Sequence, residues 1–140
     1  MIDVVVVGAG PAGLACAIGA ATAGARVTVI ERDRLPHRRP CAGLINVTGA
    51  AELSTLGVST ADAHRLGGIR LVDGEHRIRR AFPDGGQVID RSILDARLAG
   101  AAVDAGVTIV DGIEVLRPIV ERGLVRGVLT DRDTDAEIAA

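Results

Sequence analysis

The segment Gly8-Ala9-Gly10-Pro11-Ala12-Gly13 spaces its glycines as GxGxxG. Those residue types serve one chemistry, the close approach of backbone N–H groups to a diphosphate. Gly8 permits a tight turn, Gly10 lets the backbone come close to a pyrophosphate, and Gly13 lets the next helix lie on the sheet. Ala17 and Gly24 continue the small-residue spacing and likewise let that helix lie close on the sheet. Pro11 suits a first helical position, where its missing N–H is no loss. A helix starting there turns N–H groups and a partial positive charge toward phosphates. Glu31 follows Gly13 by eighteen residues. A carboxylate at that point accepts hydrogen bonds from the two ribose hydroxyls of an adenosine and repels a 2′-phosphate, which disfavours NADP.

Other chemistries find no residues. The 140-residue chain carries 16 basic residues, all of them Arg. Without Lys there is neither a Schiff-base amine nor the lysine of a phosphate-cradling Walker loop. Cys16 and Cys41 form no CxxC pair, and His37, His64 and His76 have no metal-ligand spacing. Two free thiols suit a reducing, cytoplasmic setting. The net charge is −2 and Phe82 is the sole aromatic, so the chain offers neither the basic face nor the stacking platform that nucleic acid requires. A chain of this size is at most one domain.

The motif carries weight only between a strand and a helix, and the flanking residues supply both. Ile2 to Val7 is a β-branched run that reads as a strand covered on both faces of a parallel sheet. The helix runs from Pro11 to Ala23 and stops at Gly24, and Arg26 to Ile30 is the second strand of a βαβ unit. Val4 to Ala25 carries no charge over about the length of a membrane span. Its five glycines, its proline and its alanines make a buried strand and a close-packed helix the better reading. Cys16 on that helix reads as a packing residue.

Further along, Leu35 to Gly43 is a polar loop, and a helix from Asn46 to Leu56 is stopped by Gly57. Ile69 to Ile78 reads as a hairpin turning at Asp73-Gly74 in a type I′ turn, with Pro83 to Gly86 as another turn. Arg77, Arg79 and Arg80 make a wet hairpin edge. Asp90 caps a helix from Arg91 to Ala105, whose buried face is Leu94, Leu98, Ala101, Ala102 and Ala105. Val107 to Val110 is a third apolar strand, and Ile113 to Leu116 with Leu124 to Thr130 form a smaller antiparallel piece. Ala136 to Ala140 reads as the start of a strand, which points to a truncated chain.

The stretch from Asp3 through the glycine turn to Glu31-Arg32-Asp33 resembles the opening of FAD-dependent oxidoreductases. More narrowly it is similar to the group that contains geranylgeranyl reductases and aromatic-ring hydroxylases. Arg38-Arg39-Pro40-Cys41-Ala42-Gly43-Leu44 resembles the Pro-Cys-Gly-Gly loop of the reductases, which lies near the flavin, and departs from it at Ala42. Asp90-Arg91-Ser92-Ile93-Leu94-Asp95-Ala96-Arg97-Leu98 is similar to that group's helix, whose leading Arg meets the cofactor. The resemblance covers nearly the whole chain but only the N-terminal part of such an enzyme. The Gly-Asp flavin motif and the substrate domain of the family are not in these residues.

The resemblance implies an α/β fold: a Rossmann-like FAD-binding domain with a parallel βαβ sheet and a small antiparallel piece. It places Gly8, Gly10, Pro11, Ala12 and Gly13 on the pyrophosphate, Glu31 on the ribose and Arg32 beside the adenine. Arg91 would approach the phosphates or the ribityl chain, the backbone of Val115 the adenine, and Cys41 and Ala42 the isoalloxazine ring. Cys41 reads either as a residue at the flavin edge or as a small loop residue. Arg38 and Arg39 read as solvated loop charge, with a rim drawing anionic substrate as the alternative, and the three histidines as surface residues. The implied activity is that of the FAD-binding portion of a flavin oxidoreductase, most like a geranylgeranyl reductase acting on isoprenoid double bonds, with a small-molecule substrate, isoprenoid or aromatic, in the complete enzyme. An aromatic hydroxylase and a non-catalytic fragment are the alternatives.

Overall fold

The structure, a computed structural model, describes residues 2–36, 40–132 and 136–137. The elements in chain order are β1 (Val4–Val7), α1 (Pro11–Thr22), β2 (Val27–Glu31), β3 (Leu44–Asn46), α2 (Val47–Thr55), β4 (His64–Asp73), β5 (His76–Val88), α3 (Arg91–Asp104), β6 (Thr108–Asp111), β7 (Val115–Glu121), β8 (Leu124–Thr130) and β9 (Ala136–Glu137). They fall into two compact units, one of residues 1–37 with 95–140 and one of residues 38–94.

In the first unit β1, β2 and β6 form a parallel sheet in the order β1-β2-β6. Val4 to Val7 lie opposite Val27 to Ile30, and Thr28 to Glu31 lie opposite Thr108 to Asp111. β2 is therefore central, and Val27, Val29, Ile30 and Glu31 in it are buried. β1 is not the doubly covered strand that its four valines imply. Among the described residues it pairs only with β2, so Val4 to Val6 are half-buried and Val7 is 58% exposed. Burial follows position in the sheet more than side-chain type.

α1 buries Leu14, Ala17 and Ile18. Its end is a Schellman motif, with Gly24 N–H bonded to Ala21 O and Ala25 N–H bonded to Ala20 O. Gly24 sits at φ +94 and a Cβ there meets no atom within 4 Å, so it serves the cap and not the helix–sheet contact expected of it. Cys16 is exposed, contrary to its reading as a packing residue. α1 is lined with Ala and Gly on all sides, so composition does not mark the face that packs. A second, antiparallel sheet of this unit has the order β7-β8-β9, with the two-residue β9 at the position expected to begin a strand.

The second unit is an antiparallel sheet, β3-β5-β4, with α2 beside it. Asn46 caps α2 by accepting the Gly49 N–H at 2.7 Å. The β4–β5 hairpin is longer than the sequence implies, and Asp73 pairs with His76 so that the loop is Gly74-Glu75. Only Gly74 has a positive φ, +54, whereas a type I′ loop demands it at both central residues. The expected register at Asp73-Gly74 is thus one residue early. Pro83 to Gly86 do not form a separate turn. The ladder jumps from Gly68↔Ala81 to Leu66↔Gly86, so Phe82 to Gly85 bulge from β5 opposite Gly67 alone. Pro83 is tolerated there because it owes the ladder no N–H.

His64, His76, Arg77, Arg79 and Arg80 are exposed, as expected. His37, Arg38 and Arg39 lie outside the described residues. Along α3, Leu94, Leu98 and Ala102 are buried on the face read from the sequence. Among the described residues no helix is long and apolar enough to cross a membrane.

Candidate cofactor-binding site

In the first unit the chain leaves β1 through Gly8, whose φ of +98 an L side chain would strain. The Gly8 N–H continues the ladder to Ile30 O at 2.8 Å. A Cβ built on Gly13 would overlap the Gly8 carbonyl oxygen, so glycine there is demanded by the seating of α1 against the turn. Gly10 is different. Its φ of −75 and ψ of 172 suit any residue, and a Cβ on it meets nothing within 4 Å. Among the described residues nothing requires glycine at this position. Its bare backbone fits a group that approaches from outside, as a pyrophosphate does.

Gly10 is also the N-cap of α1, with no side chain capping the helix and no acidic residue in its first turn. Pro11 occupies the first helical position, and Ala12 beside it is exposed. The helix end is thus left to bind an anion by its own N–H groups and dipole.

Glu31 closes the other side. It is 4% exposed, and its carboxylate takes the Ala9 N–H at 2.7 Å and the Asp33 N–H at 3.1 Å. One oxygen is tied to the glycine turn and the other to the exit of β2. These two backbone bonds orient the carboxylate beside the turn. A glycine turn with an unencumbered Gly10 and an oriented carboxylate beside it fits the diphosphate and ribose of an adenine dinucleotide.

Around this core, Arg32 is exposed and stands 3.8 Å from Asp33. Asp111 lies opposite Glu31 and ties down the chain beyond β2, accepting the Leu35 N–H at 2.8 Å and an Arg34 N–H at 3.1 Å. The Leu35 N–H, joined by the Arg34 charge, holds its carboxyl below the usual carboxylate range. Val115 starts β7 opposite Thr130. Nearer to β2 comes Ile113, whose N–H donates to Glu31 O at 3.1 Å. Ala9 and Asp111 are contributors that the sequence reading missed. Ala9 acts through its backbone, which no residue type announces. Asp111 had a signal, an acidic residue ending a strand as Glu31 does.

In the second unit, Cys41, Ala42 and Arg91 line one cleft of about 500 Å³ with Val88, Ile89, Asp90 and Ser92. Residues singled out from two separate parts of the sequence, Cys41-Ala42 and Arg91, thus meet. Asp90 Oδ1 takes the Ser92 N–H at 2.7 Å and the Ser92 hydroxyl at 2.6 Å, which caps α3 and sets the place of Arg91. The loop before β3 is held by Gly43, whose oxygen accepts the Ile89 N–H at 3.1 Å. A Cβ on Gly43 would overlap the Ile89 carbonyl oxygen, and its φ is +69. Gly43 is a third missed contributor. Ala42 stands where the reductase loop has glycine, and the glycine after it carries the steric demand. Cys41 is exposed, with its sulfur 3.4 Å from the Gly43 N–H. Among the described residues no group of three His, Cys, Asp or Glu side chains gathers to hold a metal.

Comparison with known proteins bears on the fold and the family. The menaquinone reductase of Mycobacterium tuberculosis is 38% identical over 121 residues, which are 81% of this chain and 30% of that protein. The myxobacterial chondrochloren halogenase, a variant of the FAD-dependent halogenases, superposes over 99% of this chain and 35% of its own at a TM-score of 0.83 and 21% identity. A geranylgeranyl bacteriochlorophyll reductase-like protein from Thermoplasma acidophilum does so over 99% and 37% at 0.77 and 26%. The chain therefore spans about a third of the length of these relatives. The fold is the FAD-binding Rossmann-like one, and FAD is the cofactor that goes with it. Residues 2–92 match the family model of the pyridine nucleotide-disulphide oxidoreductases, and the chain belongs to that family.

Proposed function

We propose that residues 1–140 are the N-terminal part of the FAD-binding domain of a flavin-dependent reductase acting on isoprenoid double bonds. The observation that carries the cofactor part is Gly10, a glycine without internal cause, placed next to a carboxylate that the turn itself orients. The isoprenoid part rests on the reductase-like loop at Pro40 to Gly43 and on likeness to a geranylgeranyl reductase-like structure. The menaquinone reductase relative, also a reductase by name, agrees with the reaction type.

In this reading Gly8, Gly10, Pro11, Ala12 and Gly13 present backbone to the diphosphate. Glu31 holds the ribose hydroxyls, Arg32 flanks the adenine, and the backbone at Val115 borders the same end. Cys41 and Ala42 bound the ring, and Arg91 offers its planar fork to the phosphates or the ribityl chain. FAD, when bound, supplies the redox chemistry; the protein supplies orientation and electrostatics.

The test is a titration of the purified chain with FAD, followed by quenching of flavin fluorescence. Saturable binding that Gly10→Val abolishes is the expected result. A chain that ignores FAD, or a Gly10→Val variant that binds as well as the parent, overturns the assignment.

A further inference from the structure

We propose that the β4–β5 hairpin of the second unit binds a phosphate monoester dianion between Arg70 and Arg79. Arg70 on β4 lies directly opposite Arg79 on β5, and Val72 lies opposite Arg77. Side chains alternate across a strand, so these four residues share one face of the hairpin. Three of them are arginines, and none is a carboxylate. Asp73, paired with His76, belongs to the other face with Leu71 and Ile78. All three arginines are exposed, and none is ion-paired among the described residues.

Protection of a free strand edge does not account for this pairing. A charge of either sign blunts an edge, and an acidic residue opposite Arg70 would do so while attracting it. Like charges directly opposite each other destabilise a hairpin instead, since their Cβ atoms stand only about 4.5–5.5 Å apart. Arg77 is the diagonal neighbour of Arg70 at about 7–8 Å, within reach of a long side chain. The chain as a whole has a net charge of −2, so composition does not force one sign onto this face. An anion received between the two strands turns the repulsion into attraction.

There is room for it. Arg70, Arg79 and Arg80 line a cleft of about 330 Å³ with Gly67, Gly68 and Ala81. That volume is at the small end of the range for ligand pockets. Two rungs along from the arginine pair, Gly68 stands opposite Ala81. A Cβ on Gly68 would overlap the Arg80 carbonyl oxygen, so no side chain fills that end. The cleft is thus walled by small residues and arginines. A phosphate monoester suits that wall better than other anions. Its dianion offers three oxygens, and an arginine fork takes two at a time. Forks from two facing strands can share it, whereas a carboxylate or a phosphate diester brings one charge and two such oxygens.

The experiment is an NMR titration of the ¹⁵N-labelled chain with methyl phosphate and with dimethyl phosphate, a monoanion, at constant ionic strength and about pH 7.5, above the second pKa of about 6 of a monoester. Expected are saturable shifts at the Gly68, Arg70, Arg79 and Ala81 amides with methyl phosphate, and binding of the diester weaker by about tenfold or more. Arg70→Gln and Arg79→Gln are expected to cost methyl phosphate a similar factor. Arg117→Gln, which removes the same charge from β7, is expected to bind as the parent does. A second arm sediments the chain with phosphatidylcholine vesicles, with and without phosphatidic acid. Retention that needs phosphatidic acid and is lost in Arg79→Gln gives the phosphate a lipid source, and saturable methyl phosphate binding without such retention gives it a soluble one. Equal affinity for the two esters, an equal loss in Arg117→Gln, shifts confined to other residues, or no binding in either arm overturns the proposal.

Discussion

The backbone N–H of Ala9 donates to Glu31 Oε2 at 2.7 Å, joining the middle of the glycine turn to the last residue of β2. With the Asp33 N–H on Oε1, this carboxylate does structural work before any cofactor arrives. Glu31→Gln keeps the size and one acceptor but sets an NH₂ group against one of the two N–H donors. A donor facing a donor in a buried place costs about 1–3 kcal/mol. Calorimetry is therefore expected to show a lower Tm for the variant without FAD, together with FAD affinity reduced about tenfold or more. Weaker FAD binding at an unchanged Tm would mean that the Ala9 bond contributes nothing to the fold.

Gly10 and Gly13 separate binding from folding. Gly10→Ala puts a methyl where no atom of the described residues lies within 4 Å, at a φ that alanine accepts. Stability is expected to stay equal or rise by a few tenths of a kcal/mol, since alanine restricts the unfolded chain, while FAD affinity falls. Gly13→Ala puts the same methyl onto the Gly8 carbonyl. The backbone must shift, and overpacking of this kind costs about 1–3 kcal/mol. Thermal melts of the two variants beside FAD titrations test the distinction. Two equally destabilised variants would place Gly10 inside the packing as well.

What was legible in the sequence was what local chemistry decides. The Pro11 start of α1, the Asp90 cap and the glycines that end the helices each act within a few residues, and the structure has them where the sequence puts them, while Asn46, read as the first helical residue, is the N-cap of α2. What was not legible depends on partners far along the chain. The valines of β1 are alike in type, yet their burial is set by which strands flank them. The bulge at Phe82 to Gly85 exists only relative to Gly67, so Pro83 to Gly86 read as a free turn until the ladder is known. Of the site, glycines and carboxylate were readable, whereas the N–H of Ala9 was not, because a backbone donor has no signature in residue type.

Gly43 gives a test of the cleft at Arg91. Its α-carbon is so close to the Ile89 carbonyl that a methyl cannot be seated, and its φ of +69 strains any other residue. Gly43→Ala is expected to break the bond from Ile89 N–H to Gly43 O and to push Cys41 and Ala42 away from the start of α3. A destabilisation of about 1–3 kcal/mol follows from the clash. The thiol of Cys41 is then expected to react faster with a maleimide than in the parent chain, since its loop no longer holds it. Unchanged Cys41 reactivity and an unchanged melt would show that the loop is not set by this contact.

Acid separates two further ties of the first unit. The Arg26 side chain and backbone hold Asp3 through bonds of 2.6 to 2.9 Å, and keep its carboxyl well below the usual 3.8. Asp111 is lowered by Leu35 and Arg34. A carboxyl with a depressed folded pKa contributes stability that is complete above its unfolded value and is lost as pH falls through the folded one. The Tm is thus expected to be flat above about pH 5 and to fall below about pH 4 as these groups protonate. Asp3→Asn is expected to melt below the parent at neutral pH and to converge with it in strong acid, where Asp3 is protonated as well. Melts of both chains across this range decide it, and a gap that persists in strong acid would assign the effect of Asp3 to something other than its charge.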